Sequence, residues 1–219
     1  VITPESKNSP PLAALECHQA LLTLQHRGQD AAGILAYDFG QQSFSFHKGP
    51  GLISQLFDQR ELERVKGHMA IGHTRYTTLG SDDHQNLQPL VTGHPLGVGM
   101  VHNGNILNYH QVTSKLRQEE EQHFLSSSDL ELILNLWSGG YTQQKTSGKS
   151  NYLECSQAAV KKIFQTVEGA YSTIGLLAGR GLFAFRDPKG IRPLVLGQKE
   201  VDGNQSWAVA SESTALTFT

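Results

Sequence analysis

Strand-like segments occur in two groups along this 219-residue chain, with helical segments between them, and this order restricts the fold. A doubly wound parallel sheet would need a regular alternation of strand and helix, which the chain lacks. The pattern therefore favours an α+β fold in which antiparallel sheets stack and helices cover the outside. The strand-like segments are 31–37, 41–48, 69–72, 96–101, 171–177, 182–185, 194–196 and 207–210.

Helical periodicity indicates where the covering helices lie. Apolar residues at helical spacing predict helices over 12–25, 109–120, 130–137 and 156–168, with a short helix within 52–66. Ser128 and Asp129 precede the third of these as N-cap signals, and Glu131 makes a capping box possible. The segment 138–151 consists largely of Gly, Ser, Thr, Gln and Lys, which predicts a surface loop.

Composition excludes several classes of protein. The net charge is −2, so nothing in it suits a nucleic-acid backbone or an anionic membrane. No stretch of ~18 apolar residues indicates a transmembrane helix. The two cysteines argue against a disulfide framework, and the ten histidines lack the spacing of a metal site. A cytoplasmic enzyme domain without a metal, a nucleic-acid partner or a membrane partner is the expectation.

A polar stretch between residues 72 and 108 carries the groups best suited to hold a small charged molecule. The strand-like segment 96–101 leads to Asn103 and Gly104, and Asn and Gly at a strand end favour a tight turn. Such a turn would aim the Asn103 amide and the Gly104 N–H at one point, as a developing oxyanion requires. Arg75 follows the segment 69–72 and can clamp a carboxylate with its fork of donors. A pair of ordinary strand-end turns is the alternative interpretation.

Two further residues have both a structural and a functional interpretation. Asp129 can cap the helix that follows it, or it can bind a cationic group of a ligand. Cys17 lies on the apolar face of the first predicted helix, where it is either a buried structural thiol or a nucleophile.

Five motifs are spaced along the chain from about residue 21 to residue 216. They are Gln-His-Arg-Gly-Gln-Asp-Ala-Ala-Gly-Ile at 25–34, Gly-His-Thr-Arg-Tyr-Thr-Thr at 72–78, His-Asn-Gly-Asn at 102–105, Ser-Asp at 128–129, and Arg-Asp-Pro-Lys-Gly-Ile-Arg-Pro-Leu at 186–194. In this order they resemble the glutaminase domain of the glutamine phosphoribosylpyrophosphate amidotransferases. The first and last motifs favour this family over relatives that make glucosamine 6-phosphate or asparagine.

The resemblance assigns roles to individual residues. By it, Arg75 binds the α-carboxylate of glutamine and Asp129 pairs with the α-ammonium. The Asn103 side chain and the Gly104 N–H form the oxyanion hole. The resemblance also implies roles for three residues around these groups: Tyr76 and Thr78 border the pocket, and Arg27 lies near the nucleophile.

The resemblance also implies a fold and a reaction. The fold would be the N-terminal-nucleophile hydrolase type, a four-layer αββα sandwich of two antiparallel sheets flanked by helices. The domain would hydrolyse glutamine to glutamate and ammonia, and a phosphoribosyltransferase domain of the same full-length chain would pass the ammonia to phosphoribosylpyrophosphate, the first step of purine biosynthesis. Mg²⁺ is expected in that second domain and no cofactor in this one, an iron–sulfur cluster is left open, and the full-length enzyme is expected to be a homo-oligomer.

One departure from the family pattern concerns the nucleophile. The family uses a cysteine at the very N-terminus, followed by Gly and an apolar strand, whereas this chain begins with Val1. Residues 1–219 are therefore expected to be the class II glutaminase domain without its first strand or the phosphoribosyltransferase domain, and to be inactive as they stand. A natural form without a nucleophile, a glutamine-binding module, a structural domain, and the glutaminase domain of another class II amidotransferase remain alternatives.

Overall fold

The computed structural model describes residues 1, 11–76, 84–201 and 204–217, with residues 84, 201 and 204 described by their backbone alone. The α-helices are α1 (Ala13–Thr23), α2 (Ile53–Leu56), α3 (Gln59–Arg64), α4 (Tyr109–Glu119), α5 (Asp129–Thr146) and α6 (Tyr152–Thr166). The strands are β1 (Ala31–Asp38), β2 (Ser43–Pro50), β3 (Met69–Arg75), β4 (Leu90–Thr92), β5 (Val98–Ile106), β6 (Gly169–Leu177), β7 (Gly181–Arg186), β8 (Val195–Val201) and β9 (Asn204–Ala210).

The strands form two main antiparallel sheets and a hairpin. The first sheet has the order β2-β1-β3, and Ile34 of β1 faces His47 on one side and Gly72 on the other. The second sheet has the order β4-β5-β6-β7, with β5 paired to β6 along its whole length. The hairpin consists of β8 and β9. All pairings between these strands are antiparallel, so the α+β prediction is confirmed.

Three apolar clusters show how the layers stack. Between the sheets lie side chains from both, among them Leu35 and Ile71 of the first sheet and Val101 and Leu176 of the second. Helices α4, α5 and α6 pack on the outer face of the second sheet, and α1 and α2 pack on the first together with the hairpin. Burial of these apolar faces stabilises the fold by roughly 25 cal/mol per Å² removed from water. The predicted helix–sheet–sheet–helix order is confirmed.

Helix α5 is longer than its sequence indicates. It continues to Thr146, so the predicted surface loop over 138–151 is wrong for most of its length. The Trp137 ring stacks on Tyr141 and on Phe183 of β7, and both Trp137 and Tyr141 are buried. This packing extends the helix through residues whose composition alone is typical of a loop, as tertiary contacts often override local propensity.

Strand β5 also extends beyond its predicted end. Asn103 and Gly104 lie within the strand, opposite Ser172 and Tyr171 of β6, so the predicted strand-end turn is wrong. A β-carbon at position 104 would lie 2.2 Å from the carbonyl oxygen of Ala170, so glycine allows the close approach of β6. Because strand pairing continues to Ile106, Asn103 and Gly104 belong to a sheet and not to a loop.

In the part of the chain that is described, no helix is long and apolar enough to cross a membrane.

Candidate functional site

A cavity of about 550 Å³ opens where β3, β5 and the start of α5 meet. It contains six of the seven predicted site residues: Arg27, Arg75, Tyr76, Asn103, Gly104 and Asp129. The seventh, Thr78, lies outside the described residues. The other lining residues are His73, Thr74, Asn86, Gln88, His102, Asn105, Ser127, Ser128 and Arg192.

Arg75 occupies the last position of β3, as predicted, and a neighbouring segment restrains its side chain. Its Nη1 donates a hydrogen bond to the carbonyl oxygen of Asn86 at 2.9 Å. The Asn86 side chain in turn accepts a hydrogen bond from the Ser127 N–H at 3.1 Å. The guanidinium is therefore fixed between β3 and the residues that precede α5, which favours a defined direction for its remaining donors.

The segment around Asn86 is fastened to the first sheet by Lys48 of β2. The Lys48 Nζ donates to the carbonyl oxygens of Leu87 and Pro89 at 2.7 and 2.9 Å. A β-carbon at Gly33 of β1 would lie 2.3 Å from the Gln88 carbonyl oxygen, so glycine permits this close approach. Burial of the ammonium lowers the pKa of Lys48 below its usual value.

The Asn103–Gly104 pair is aligned by a side chain from the same segment. The Gln88 Oε1 accepts a hydrogen bond from the His102 N–H at 2.7 Å, directly before Asn103. The Asn103 amide makes no hydrogen bond to any residue within the described ranges, and it lines the cavity. Its donors are therefore available to an oxygen atom of a ligand.

Asp129 lies beside Ile106, the last residue of β5, on the far side of Asn103 and Gly104 from His102. Its Oδ2 accepts the Ile106 N–H at 2.8 Å, and it is the first residue of α5, with Ser128 as the N-cap. Burial raises the pKa of Asp129, although the bond from Ile106 and the nearby His110 act in the opposite direction. Its carboxylate is thus held by the strand while one face lines the cavity.

The possible capping box at this helix does not form. The Ser128 Oγ accepts from the Leu130 N–H at 3.3 Å. The Glu131 carboxylate instead accepts from the Leu125 N–H at 2.7 Å and from the Ser126 N–H and hydroxyl, both at 2.6 Å. Glu131 therefore folds the preceding loop back onto the helix and so places Ser127 next to Asn86.

Two histidines of the cavity are electrically neutral near neutral pH. Desolvation, with the nearby Arg75 as a second cause, lowers the pKa of His73 to about 4. Desolvation and the neighbouring His73 and Arg192 lower the pKa of His102 to about 3. Neither histidine is assigned a role by the sequence alone. The available signal was their position in the motifs at 72–78 and 102–105, each next to a predicted site residue.

The remaining predicted residues lie at the rim. Arg27 forms an ion pair with Glu212, with its Nη1 2.7 Å from the Glu212 Oε1. The Tyr76 side chain donates to the His26 carbonyl oxygen at 3.2 Å, and the residue is 51% exposed.

Cys17 is buried in α1 and is absent from the cavity wall, and burial raises the pKa of its thiol to about 11. A thiol held protonated in this way behaves as a structural residue.

Comparison with known proteins identifies the family. Residues 73–218 match the family model described as a glutamine amidotransferase domain. The chain belongs to this family. The match includes the cavity residues on β3 and β5, the start of α5 and Arg192.

The most similar relatives reported are amidophosphoribosyltransferases, so the resemblance read from the five motifs is confirmed. The Escherichia coli (strain K12) enzyme is 41% identical over 202 residues, which cover 91% of this chain and 39% of that protein. The Schizosaccharomyces pombe enzyme is 36% identical over 209 residues, which cover 94% of this chain and 38% of that protein. This chain thus spans about two fifths of the length of these relatives.

Solved structures support the same fold. A structure of the allosteric regulatory enzyme of purine biosynthesis superposes with a TM-score of 0.78 and 32% identity, over 95% of this chain and 41% of that one. The glutamine phosphoribosylpyrophosphate amidotransferase from B. subtilis, complexed with ADP and GMP, gives a TM-score of 0.74 and 32% identity, over 93% of this chain and 40% of that one. The predicted N-terminal-nucleophile hydrolase type is confirmed by these neighbours.

Proposed function

We propose that this glutamine amidotransferase domain binds free glutamine in the cavity. The observation that carries the proposal is a set of complementary groups that line one cavity: Arg75, Asp129, Asn103 and Gly104. Free glutamine carries a carboxylate, an ammonium and a neutral amide, and each finds a matching group. Charge-assisted hydrogen bonds of this kind contribute roughly 1.5–3 kcal/mol each.

The roles follow from the charges. Arg75 binds the α-carboxylate, and Asp129 binds the α-ammonium. The side-chain carbonyl oxygen then faces the Asn103 amide and the Gly104 N–H, and two such donors stabilise the oxyanion that forms when the amide is attacked. A single donor of this type contributes about 3–4 kcal/mol to the stability of a transition state. Tyr76 and Arg27 border the cavity.

For the whole protein we propose the reaction of an amidophosphoribosyltransferase. Glutamine is hydrolysed to glutamate and ammonia, and the ammonia reacts with phosphoribosylpyrophosphate on a second domain that uses Mg²⁺. Support comes from the relatives' names and from the charged and polar residues that line the cavity of this chain. We propose a cytoplasmic location as well, since Cys17 and Cys155 are both unpaired.

Hydrolysis by the route of this family needs a cysteine nucleophile, and no cysteine among the described residues lines the cavity. Neither Cys17 nor Cys155 lines it. We therefore propose that residues 1–219 alone bind glutamine without hydrolysing it. An ammonia-release assay on this polypeptide should give no signal above a blank, and sustained release would contradict the proposal.

Isothermal titration calorimetry with L-glutamine tests the binding site. Arg75→Ala should weaken binding about ten- to hundredfold, because one charge-assisted contact of roughly 1.5–3 kcal/mol is lost. Arg64→Ala is the matched control, since Arg64 lies on α3 with a 72% exposed side chain and should leave the affinity unchanged. Equal affinities for Arg75→Ala and the unchanged protein would exclude the clamp.

A further inference from the structure

The motif at 186–194 has no role in the proposed glutamine site, yet it forms an ordered turn beside the cavity. Asp187 is 3% exposed, and its carboxylate accepts the N–H groups of Lys189 at 3.0 Å, Ile191 at 3.1 Å and Tyr171 at 3.3 Å. A further contact comes from the Arg192 N–H at 3.5 Å. Burial would raise the pKa of Asp187, but these donors outweigh it and lower the pKa. The charged carboxylate therefore fixes the backbone up to Arg192.

The Arg192 side chain lines the cavity that this turn approaches. Its Nε is shielded from solvent and has no hydrogen-bond partner within the described part of the chain. No carboxylate among the described residues forms an ion pair with it. A buried N–H without a partner costs about 1–3 kcal/mol, and a guanidinium has no acceptor of its own. The terminal nitrogens of Arg192 donate to no described residue either, so the guanidinium is suited to bind an anionic ligand atom in the cavity.

The residues placed along β5 indicate which end of a bound ligand lies near Arg192. Asp129 is bonded to Ile106, and Asn103 and Gly104 come next along β5. Arg192 lines the same cavity as His102, and its charge is one cause of the lowered pKa of His102. An extended strand rises about 3.3 Å per residue, so the Asn103–Gly104 pair lies roughly 7–10 Å from Ile106 and directly beside His102. A ligand with its ammonium at Asp129 and its side-chain carbonyl at this pair therefore directs that side chain towards His102 and Arg192.

The charges of the cavity wall leave one cation unused by glutamine. Arg75 and Asp129 match the α-carboxylate and the α-ammonium, and Arg27 is already paired with Glu212. Arg192 remains, at the end where glutamine presents a neutral amide and glutamate presents a carboxylate. We propose that Arg192 is a second carboxylate-binding residue, through which this site holds glutamate at least as tightly as glutamine. The inference rests on the proposed glutamine site and adds a preference for the hydrolysis product.

Calorimetry with both amino acids tests the assignment. The unchanged chain should bind L-glutamate with an affinity equal to or greater than that for L-glutamine. Arg192→Gln should weaken glutamate about tenfold or more and change glutamine less than about threefold. Arg186→Gln is the matched control, because Arg186 is an exposed arginine of the same motif and should alter neither affinity.

Each outcome separates the two proposals. If Arg192→Gln weakens both ligands equally, or neither, the role of Arg192 is wrong while the glutamine site stands. If the unchanged chain binds glutamine but binds glutamate measurably more weakly, the role of Arg192 is also wrong. If the unchanged chain binds neither amino acid, the glutamine site itself is wrong, and the role of Arg192 fails with it.

A second measurement needs no variant, so it is independent of whether Arg192→Gln folds. Glutarate carries two carboxylates, and its monoamide, glutaramate, carries one. Because Arg75 and Arg192 would each take a carboxylate of glutarate, the unchanged chain should bind glutarate at least about tenfold more tightly than glutaramate. Equal affinity for the two compounds would overturn the assignment.

Discussion

At the scale of single residues, Lys48 shows how a group outside the cavity controls its shape. Its ammonium bridges the carbonyl oxygens of Leu87 and Pro89, on either side of Gln88, whose side chain holds the His102 N–H. The carbonyl oxygen of Asn86, the residue before Leu87, accepts the hydrogen bond from Arg75. One lysine thus anchors a short segment that aligns both Arg75 and the strand that carries Asn103 and Gly104.

Replacing this lysine should cost stability and binding together. Lys48→Met keeps the length of the side chain but leaves two carbonyl oxygens without their donor, so the free energy of unfolding should fall by about 2–4 kcal/mol. Glutamine affinity should fall as well, because Arg75 and His102 lose their common support. Urea denaturation and calorimetry measure the two effects.

Lys161→Met provides the comparison for this change. Lys161 is an exposed residue of α6, remote from the cavity wall, and its replacement should alter stability by less than about 0.5 kcal/mol. If Lys48→Met behaves like Lys161→Met in both measurements, the anchoring role of Lys48 is wrong.

At the scale of elements, the start of α5 joins the second sheet to the cavity. Asp129 bonds to the last residue of β5, and Glu131, two residues further on, holds the loop at Leu125 and Ser126. Ser127 is thereby placed against Asn86. The helix terminus therefore orders the loop that precedes it, and through that loop the segment that supports Arg75.

Glu131→Gln should loosen this loop while leaving the helix in place. An amide can accept only through one oxygen, so the N–H groups of Leu125 and Ser126 can no longer both be satisfied. We expect the free energy of unfolding to fall by about 1.5–3 kcal/mol, with faster hydrogen exchange at 125–127. Glu119→Gln, on the exposed end of α4, should change neither quantity. Unaltered exchange at 125–127 in Glu131→Gln would contradict the role of this carboxylate.

At the scale of the whole molecule, packing of the two sheets desolvates the histidines on β3 and β5. The pKa of His73 lies at about 4 and that of His102 at about 3, against about 6.5 in an unfolded chain. Below pH 6.5 the unfolded chain binds protons that the folded chain does not. The free energy of unfolding therefore decreases as the pH falls from 6.5 towards 4.

Urea denaturation between pH 7.5 and 4.5 should show this loss. Each histidine contributes up to about 1.4 kcal/mol per pH unit within the window, while Asp129, whose raised pKa favours the protonated folded form, opposes the loss at its acid end. His102→Gln should make the decline shallower. A stability that does not change with pH in this range would show that the two histidines are not desolvated in solution.

The sequence alone identified most of the fold and of the site. Periodicity located the strands and helices because each element must bury one apolar face, and the motifs placed Arg75, Asn103, Gly104 and Asp129 in order along the chain. Prediction from the sequence failed where contacts between distant residues decide where an element ends. The continuation of α5 to Thr146 depends on aromatic packing against β7, and the continuation of β5 to Ile106 depends on pairing with β6.

The sequence thus determined which chemical groups are present and which local structures carry them, since both depend on residues near one another in the chain. Only the tertiary structure decided which groups share a cavity: Arg75 and Asp129 are 54 residues apart, and Arg192 follows 63 residues later. Their meeting depends on how β3, β5 and α5 pack, and on the Lys48, Gln88 and Asp187 contacts that no local pattern encodes. A ligand responds to the distances between charges in space, and folding alone sets those distances.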